Sequence, residues 1–308
     1  MRKTPLAIVG FGKIARDQHV PALAASGAFE LAAVSSPSSR LDGVPWYPDI
    51  ESMLRARPAV EAVALCTTPQ VRYATARTAL EAGRHVLLEK PPGVTVSEVV
   101  ALVGFAETNR VALFASWHSR HARAVEPARS WLVGRLIRAI AVTWKEDVRV
   151  WHPGQKWIWA AGGLGVFDPG INALSILTRL VPGRIALKDA ALSIPDNCET
   201  PIAAELSMTT GGGAPVHASF DFRHTGTQTW DIEITTDAGT LRLAMGGSVL
   251  TIDGTPIDVP ATDEYPSLYA RFADLVARRA IDVDLSPLQL VADAFLCGRR
   301  INVEPFLD

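Results

Sequence analysis

The sequence predicts an α/β protein of two domains: a doubly wound parallel sheet over residues 1–120, then an α/β domain with mainly antiparallel strands over residues 121–308. Three observations carry this. The first third of the chain alternates short apolar runs with helical segments. Beyond residue 120 the apolar residues recur with period two. A glycine turn closes the first apolar run and opens a helix.

In the first part, "PLAIVGFG" is a buried-strand run closed by glycines. "ARDQHVPALAAS" is helical, with its proline at a kink or in the first turn. "FELAAVSS" is a second strand, "DIESMLRA" a short helix and "VEAVALCTTP" a third strand. "QVRYATARTALEAG" is a helix that ends at Gly83 as a C-cap. "RHVLLEKPP" is a fourth strand, "TVSEVVALVGFAETNR" a helix and "VALFASWHSR" a fifth strand. Strands spaced by helices in this way pair in parallel.

After the helix "HARAVEPARSWLVG" the pattern changes. One face of "IAVTWKEDV" carries Ile140, Val142, Trp144, Glu146 and Val148. The corresponding faces carry Ile202, Ala204, Leu206 and Met208, then Val216, Ala218, Phe220 and Phe222, then Trp230, Ile232 and Ile234. Clean alternation means antiparallel strands with one face on a core. "DAGT" and "GGSVLTIDGTP" contain hairpin turns. "PSLYARFADLVARRA" and "SPLQLVADAFLCGRRI" are amphipathic helices. An open sheet face of this kind can pair with a second copy, so a homodimer is an expectation.

Apolar residues make up 48% of the chain and charged residues 20%, which suits a globular protein with full cores. The net charge is −2 and no block of like charges occurs, which argues against nucleic acid or an anionic membrane as a partner. The apolar run in "MRKTPLAIVGFG" is too short for a signal peptide, and no apolar run of about 18 residues is present to span a membrane. Cys66, Cys198 and Cys297 are odd in number and far apart, which suits neither a disulfide framework nor a metal site. A cytoplasmic enzyme or sensor is the expectation.

"AIVGFGKIA" reads Gly10-x-Gly12-x-x-Ala15 between a strand and a helix. Gly10 allows the tight turn, Gly12 lets the backbone approach a pyrophosphate, and Ala15 replaces the third glycine where helix and strand pack. Gly10, Phe11, Gly12, Lys13 and Ile14 are therefore the expected phosphate loop of a dinucleotide site. The acid that an NAD site carries after its second strand is missing. Ser35, Ser36 and Arg40 stand there instead and suit a 2′-phosphate, so NADP is the expected cofactor, with NAD also usable. "VLLEKPPG" puts Glu89 and Lys90 at the C-terminal end of a parallel strand, where ligands bind, and two prolines fix the backbone that directs the ammonium.

These features, with "CTTP" after the third strand and the acid-bearing helix around Asp168, resemble the glucose–fructose oxidoreductase/inositol dehydrogenase (Gfo/Idh/MocA) family over nearly the whole chain. The resemblance implies a Rossmann domain followed by an α/β domain with an open, mainly antiparallel sheet. It also implies Thr67, Thr68, Glu89 and Lys90 as cofactor contacts. Within the family, "GKIARDQHVPA", "WKEDVRVWHPGQKWIW" and "GGLGVFDPGINALSI" are similar to bacterial aldose 1-dehydrogenases that oxidise L-arabinose and D-galactose. The implied activity is NAD(P)-dependent oxidation of an aldose at its anomeric carbon to the lactone.

Many family members carry Asp-x-x-x-His, with the His as proton acceptor. The matching residues here are Asp168 and Asn172, and an Asn takes no proton at neutral pH. Asp168 and Lys90 remain as acid–base candidates, while Asn172 holds the reacting oxygen from the same helix face. Pro169 suits a first helical turn, which also places Asp168 at the N-cap. Glu146 interrupts an apolar face. It pairs with Lys90, binds sugar hydroxyls, or is exposed by a bulge.

Trp144, Trp151, Trp157 and Trp159 are half of the chain's eight tryptophans. Trp151 and His152, in a turn-rich segment, are expected to contact the sugar. Trp157 and Trp159 either join them or pack one domain on the other. His118 ends the fifth strand and is expected to meet substrate or nicotinamide. His118 and His121 lack a third ligand, so no metal is expected. Trp230, by the resemblance, caps the sugar pocket. Two further functions fit the same residues: a non-catalytic sugar or cofactor sensor, and an oxidoreductase of another polyol. Loss of the His favours the sensor, whereas Glu89-Lys90-Pro91 and Asp168 favour an enzyme. L-Arabinose and D-galactose share ring stereochemistry and differ by one hydroxymethyl group, which a pocket separates weakly.

Overall fold

The computed structural model describes residues 2–307. It divides into two compact units, Met1–His118 with Asp263–Leu285, and Ser119–Thr262 with Ser286–Asp308.

The first unit begins with β1 (Thr4–Val9), whose last four residues are buried. A π-helical turn, Ala15–His19, leads into α1 (Val20–Ala25), with Pro21 in its first turn. β2 (Phe29–Ser35), β3 (Trp46–Tyr47), α2 (Ile50–Ala56), β4 (Ala62–Leu65), α3 (Pro69–Glu81), β5 (His85–Leu88), α4 (Val96–Asn109) and β6 (Leu113–Ala115) continue the alternation. α3 stops as its sequence predicts. Gly83 takes φ +73°, and the amides of Gly83 and Arg84 donate back to the carbonyls of Leu80 and Ala79. The strands pair in parallel in the order β6-β5-β4-β1-β2-β3, which reverses at β1. Ligands bind at the strand ends beside such a reversal.

The second unit contains α5 (Val125–Leu132), β7 (Ile137–Lys145), α6 (Val148–Trp151), α7 (Phe167–Leu180), β8 (Ile185–Pro195), β9 (Ala203–Thr210), β10 (Pro215–Asp221), β11 (Thr229–Thr236), β12 (Gly239–Ala244), β13 (Val249–Ile252) and β14 (Thr255–Ile257). α8 (Glu264–Arg278) and β15 (Ile281–Asp282) then belong to the first unit, where β15 pairs with β6. α9 (Ser286–Cys297) and β16 (Arg299–Val303) complete the second. Its nine strands run β14-β13-β12-β11-β7-β10-β9-β8-β16. They are antiparallel except for the pairs β7–β10 and β8–β16. The alternation read from the sequence sets the faces: Ile140, Val142, Trp144, Leu206, Met208, Phe220, Phe222, Ile232 and Ile234 are all buried. α7 lies on that face, with Phe167 against Phe220 and Phe295 at ring distances of 5.7 and 5.6 Å.

Two sequence expectations change. The division at residue 121 assigned every later residue to the second domain, but Asp263–Leu285 joins the first. α2, α3 and α4 cover one face of the parallel sheet, and α1 alone would leave part of the other bare. Tyr265, Leu268, Tyr269, Phe272 and Leu275 of α8 fill that face, with Phe272 stacked between Phe29 and Phe114. The fifth strand, expected to reach His118, ends at Ala115, and His118 opens a 3₁₀ turn. The amides of Trp117 and His118 fold back onto the carbonyls of Ala115 and Ser116, which removes them from the ladder. No helix among the described residues is long and apolar enough to cross a membrane.

Gly10 has φ +86°, and a Cβ there would lie 2.6 Å from the Thr67 amide nitrogen and 2.7 Å from the Cys66 carbonyl carbon. The approach of the segment after β4 thus requires glycine as firmly as the turn does. At Gly12 nothing lies within 4 Å of the corresponding position. Gly10→Ala should cost about 2 kcal/mol or more and lower the Tm in a thermal melt. Gly12→Ala should stay within about 0.5 kcal/mol of wild type. Equal losses for the two variants would contradict this account of the loop.

Candidate active site

The predicted cofactor residues gather along one edge of the first unit's sheet. Register aligns Val9 with Ser35 and Leu65, and Leu65 with Leu88. The residues that follow these strands therefore emerge side by side. The amides of Gly10, Cys66 and Glu89 extend the ladder by donating to Ser35, Val9 and Leu65. Phe11 is buried in the core, so its backbone borders the loop; Ile14 is exposed, and Lys13 ion-pairs with Asp17. Ser35 and Ser36 are buried, and the Ser36 carbonyl accepts the Trp46 indole N–H at 2.9 Å. The Arg40 guanidinium lies 4.0 Å from the centre of the Trp46 ring, so it stands in a defined place beside the end of β2.

Thr68 stands at the N-cap position of α3 without a side-chain capping bond, and the buried Thr67 hydroxyl has no hydrogen-bond partner. A buried hydroxyl without a partner is uncommon and suits a ligand that supplies one. The orphaned Thr67 hydroxyl, the open side of Gly12 and the placed Arg40 cation fit a dinucleotide held by the Gly10–Ile14 loop.

Glu89 is engaged differently from the sequence expectation of a cofactor contact. Its carboxylate is 3% exposed and is taken up by protein donors. Oε1 lies 2.9 Å from His19 Nε2 and accepts the Tyr265 hydroxyl at 2.8 Å. Oε2 accepts the Lys90 amide at 2.8 Å. His19 Nδ1 lies 2.8 Å from the Tyr269 hydroxyl. Burial raises the Glu89 pKa, but the hydrogen bond and charge of His19, the charge of His118 and the Tyr265 hydroxyl outweigh it and bring it down to about 2. Burial lowers that of His19, yet the Cys66 thiol, Tyr269 and Glu89 hold it well above the usual imidazole value. Both shifts favour the charged forms of the pair. His118 sits beside it, 2.6 Å from a Glu264 oxygen and stacked on Tyr265 at 5.5 Å.

The predicted sugar residues form a second group in the second unit. β7 and β11 pair Trp144 with Trp230, and their rings stack at 5.9 Å. Glu146 lies two residues beyond Trp144 on the same face, where Trp230 reaches it diagonally. The Trp230 indole N–H donates to Glu146 Oε2 at 2.7 Å. Asp147 then caps the short α6, and the turn returns His152 over Glu146, with Nε2 3.0 Å from Oε1. Glu146 is thus buried and held in place by His152 and Trp230, with no bulge to expose it. Trp151, 40% exposed, meets Trp230 edge-on at 4.7 Å. Trp159 packs on Phe222 and Phe306 within the same unit.

α7 brings Asp168 to this group. Val166 is its N-cap, so Asp168 lies inside the first turn and not at the cap. The helix starts two residues earlier than an N-cap at Asp168 would place it, and Gly165 and Val166 dock on neighbouring backbone. The amide of Val166 donates to Pro201 O at 2.7 Å, and a Cβ at Gly165 would lie 2.2 Å from that oxygen. Asp168 is buried, with Oδ2 3.6 Å from His152 Nδ1. Asn172 follows one turn later on the same side of α7. The order is carboxylate, imidazole, carboxylate, with aromatic rings at one end.

His19, Tyr265 and Tyr269 were absent from the sequence-derived set. The signals available were a histidine in the helix after the glycine loop and two tyrosines four residues apart on one helix face.

Residues 5–116 match the family described as an oxidoreductase family with an NAD-binding Rossmann fold. The chain is 44% identical to the galactose 1-dehydrogenase of Pseudomonas fluorescens over 308 residues, all of both chains. It is similar to the crystal structure of a D-galactose-1-dehydrogenase protein from Rhizobium etli, with a TM-score of 0.95 and 52% identity over 100% of this chain and 99% of that one. A 3-ketoreductase from Actinomadura kijaniata, solved with NADP, shares the fold at a TM-score of 0.86 and 20% identity, over 98% of this chain and 100% of that one.

The Glu89–His19 pair gives stability a pH signature. Glu89 titrates near 4.5 when unfolded and near 2 when folded, so its contribution is complete above about pH 4.5 and is lost as pH falls toward 2. His19 is shifted upward, so its contribution is complete below 6.5 and is lost as pH rises through its folded value. In urea denaturation, the gap between wild type and Glu89→Gln should be widest near pH 5–6 and narrow on either side. A gap that does not vary with pH would mean that the pair is uncharged.

Proposed function

The chain belongs to the Gfo/Idh/MocA family of NAD-binding oxidoreductases, and from that premise we propose that it oxidises an aldose, D-galactose or L-arabinose, at the anomeric carbon to the lactone. The observation that carries this reading is the buried Asp168–His152–Glu146 group. Two buried carboxylates flanking an imidazole are costly to desolvate and serve a ligand rich in hydroxyls. The exposed edge of Trp151 beside Trp230 suits the C–H face of a sugar ring.

The reaction removes a hydride and a proton from the sugar. The oxidised nicotinamide, when bound, supplies the hydride acceptor. The chain's own residues do the rest. Asp168 accepts the proton of the anomeric hydroxyl, and Asn172 holds that oxygen with its amide. The Lys90 ammonium, carried just beyond the end of β5, steadies negative charge that develops in the reaction. Glu146 and His152 orient the remaining hydroxyls. Gly10–Ile14, Thr67 and Thr68 hold the dinucleotide. Arg40 and Ser36 meet a 2′-phosphate, which makes NADP the preferred cofactor and NAD a usable one.

Nicotinamide reduction followed by absorbance, with a panel of aldoses and both cofactors, tests the reading. D-Galactose and L-arabinose should be oxidised, and Asp168→Asn should lower kcat by roughly 10²–10⁴ while the chain stays folded. Turnover of Asp168→Asn at the wild-type rate would remove Asp168 as the proton acceptor. Asn172→Ala and Lys90→Met should also lower kcat, the former by about 10- to 100-fold.

Cofactor choice is read from a separate variant. A charge-assisted contact to phosphate is worth about 1.5–3 kcal/mol. Arg40→Ala should therefore raise the KM for NADP by about 10- to 100-fold and leave that for NAD nearly unchanged. Equal changes for both cofactors would detach Arg40 from the 2′-phosphate.

A further inference from the structure

His19, Tyr265 and Tyr269 lie outside the residues assigned to dinucleotide or sugar, yet they are buried and carry polar groups; His19 and Tyr265 converge on one carboxylate, and Tyr269 backs His19. Glu89 Oε1 meets His19 at 2.9 Å and Tyr265 at 2.8 Å, while Oε2 holds the Lys90 amide at 2.8 Å. Tyr269 fixes the far nitrogen of His19 at 2.8 Å, and the Tyr265 ring meets the imidazole edge-on at 5.0 Å. The π-turn before α1, the end of β5 and α8 thus meet at the peptide that carries Lys90.

Cohesion alone does not explain this set. Apolar side chains of similar volume would hold helix and strand as well, because a buried ion pair adds little net stability. Hydrogen bonds, however, have preferred directions. Two donors on Oε1 and one on Oε2 fix the plane of the carboxylate, and with it the peptide of Lys90.

We propose that His19, Tyr265 and Tyr269 are positioning residues for Lys90: they hold the Glu89 carboxylate, and Glu89 holds the backbone from which the ammonium is directed. The proposal rests on the reading that Lys90 acts in aldose oxidation. It gives α8 a task beyond covering the sheet, since this helix supplies both hydroxyls.

Tyr265→Phe keeps the ring and deletes one donor. Its kcat for aldose oxidation should fall about tenfold, with the sugar KM and the NADP Kd changed by less than about threefold. In a Lys90→Met background the same substitution should have no further effect on kcat, because the residue through which it acts is gone. Independently of turnover, hydrogen exchange at the Lys90 amide should quicken about tenfold in Tyr265→Phe. Tyr269→Phe takes its place in every arm if Tyr265→Phe does not fold. Equal fold-losses in the two backgrounds, or unchanged exchange at Lys90, overturn the proposal. A wild type that oxidises no aldose would overturn the functional reading instead, and the exchange measurement would then decide this one.

Discussion

A carboxylate sealed into a protein must be matched by donors, and Glu89 imposes that constraint on the first unit. An isolated buried charge would cost far more than the few kcal/mol by which a domain is stable. His19 therefore has to sit after the glycine loop, and Tyr265 has to come from α8. The return of Asp263–Leu285 to this unit follows from the same requirement as well as from the bare sheet face. Phe29, Phe114 and Phe272 supply cohesion there, and Tyr265 and Tyr269 supply the polar contacts.

The second unit meets the same problem with a different geometry. Glu146 directly follows β7, where its amide donates to Asp221 O and continues the alternation that turns Trp144 inward. Its two oxygens are matched by an indole from the neighbouring strand and by an imidazole returned by the α6 turn. Charge is thus held on a rigid sheet while the partners come from a strand and a turn. Fixed polar groups of this kind need no reorganisation when a ligand arrives, which is the basis of electrostatic preorganisation.

What was legible in the sequence follows the range of the forces involved. The glycine loop, the C-cap at Gly83 and the hairpin at Asp253-Gly254 are decided within a few residues, and each stands where the sequence places it. The faces of β7, β9, β10 and β11 follow from period-two alternation, because one side of each strand is buried. β8 was missed because its register shifts between Leu187 and Asp189, which interrupts the alternation. β16 was missed because it is a largely exposed edge strand with no buried face to pattern it. α8 reads as an amphipathic helix whichever sheet it covers. The partners of His19 lie 70 and 250 residues away, and no local pattern carries that information. Glu146, His152 and Asp168 were each recognisable as anomalies in apolar or turn-rich surroundings, but only the folded chain arranges them around one imidazole.

The arrangement also bears on Asn172. Glu146 commits one oxygen to His152 and the other to Trp230, so its charge serves to fix those two groups. The contact between His152 and Asp168 is longer, 3.6 Å, beyond a normal hydrogen bond. An amide at position 172 then complements the carboxylate one turn before it: it offers both a donor and an acceptor to an oxygen and has no charge of its own to titrate. The helix α7 can bury Asp168 because Gly165 and Gly170 let its first turns approach Pro201 and the Phe220 ring. The small residues of "GGLGVFDPG" and the acid among them are thus parts of one device, in which close backbone approach holds a carboxylate inside an otherwise apolar layer.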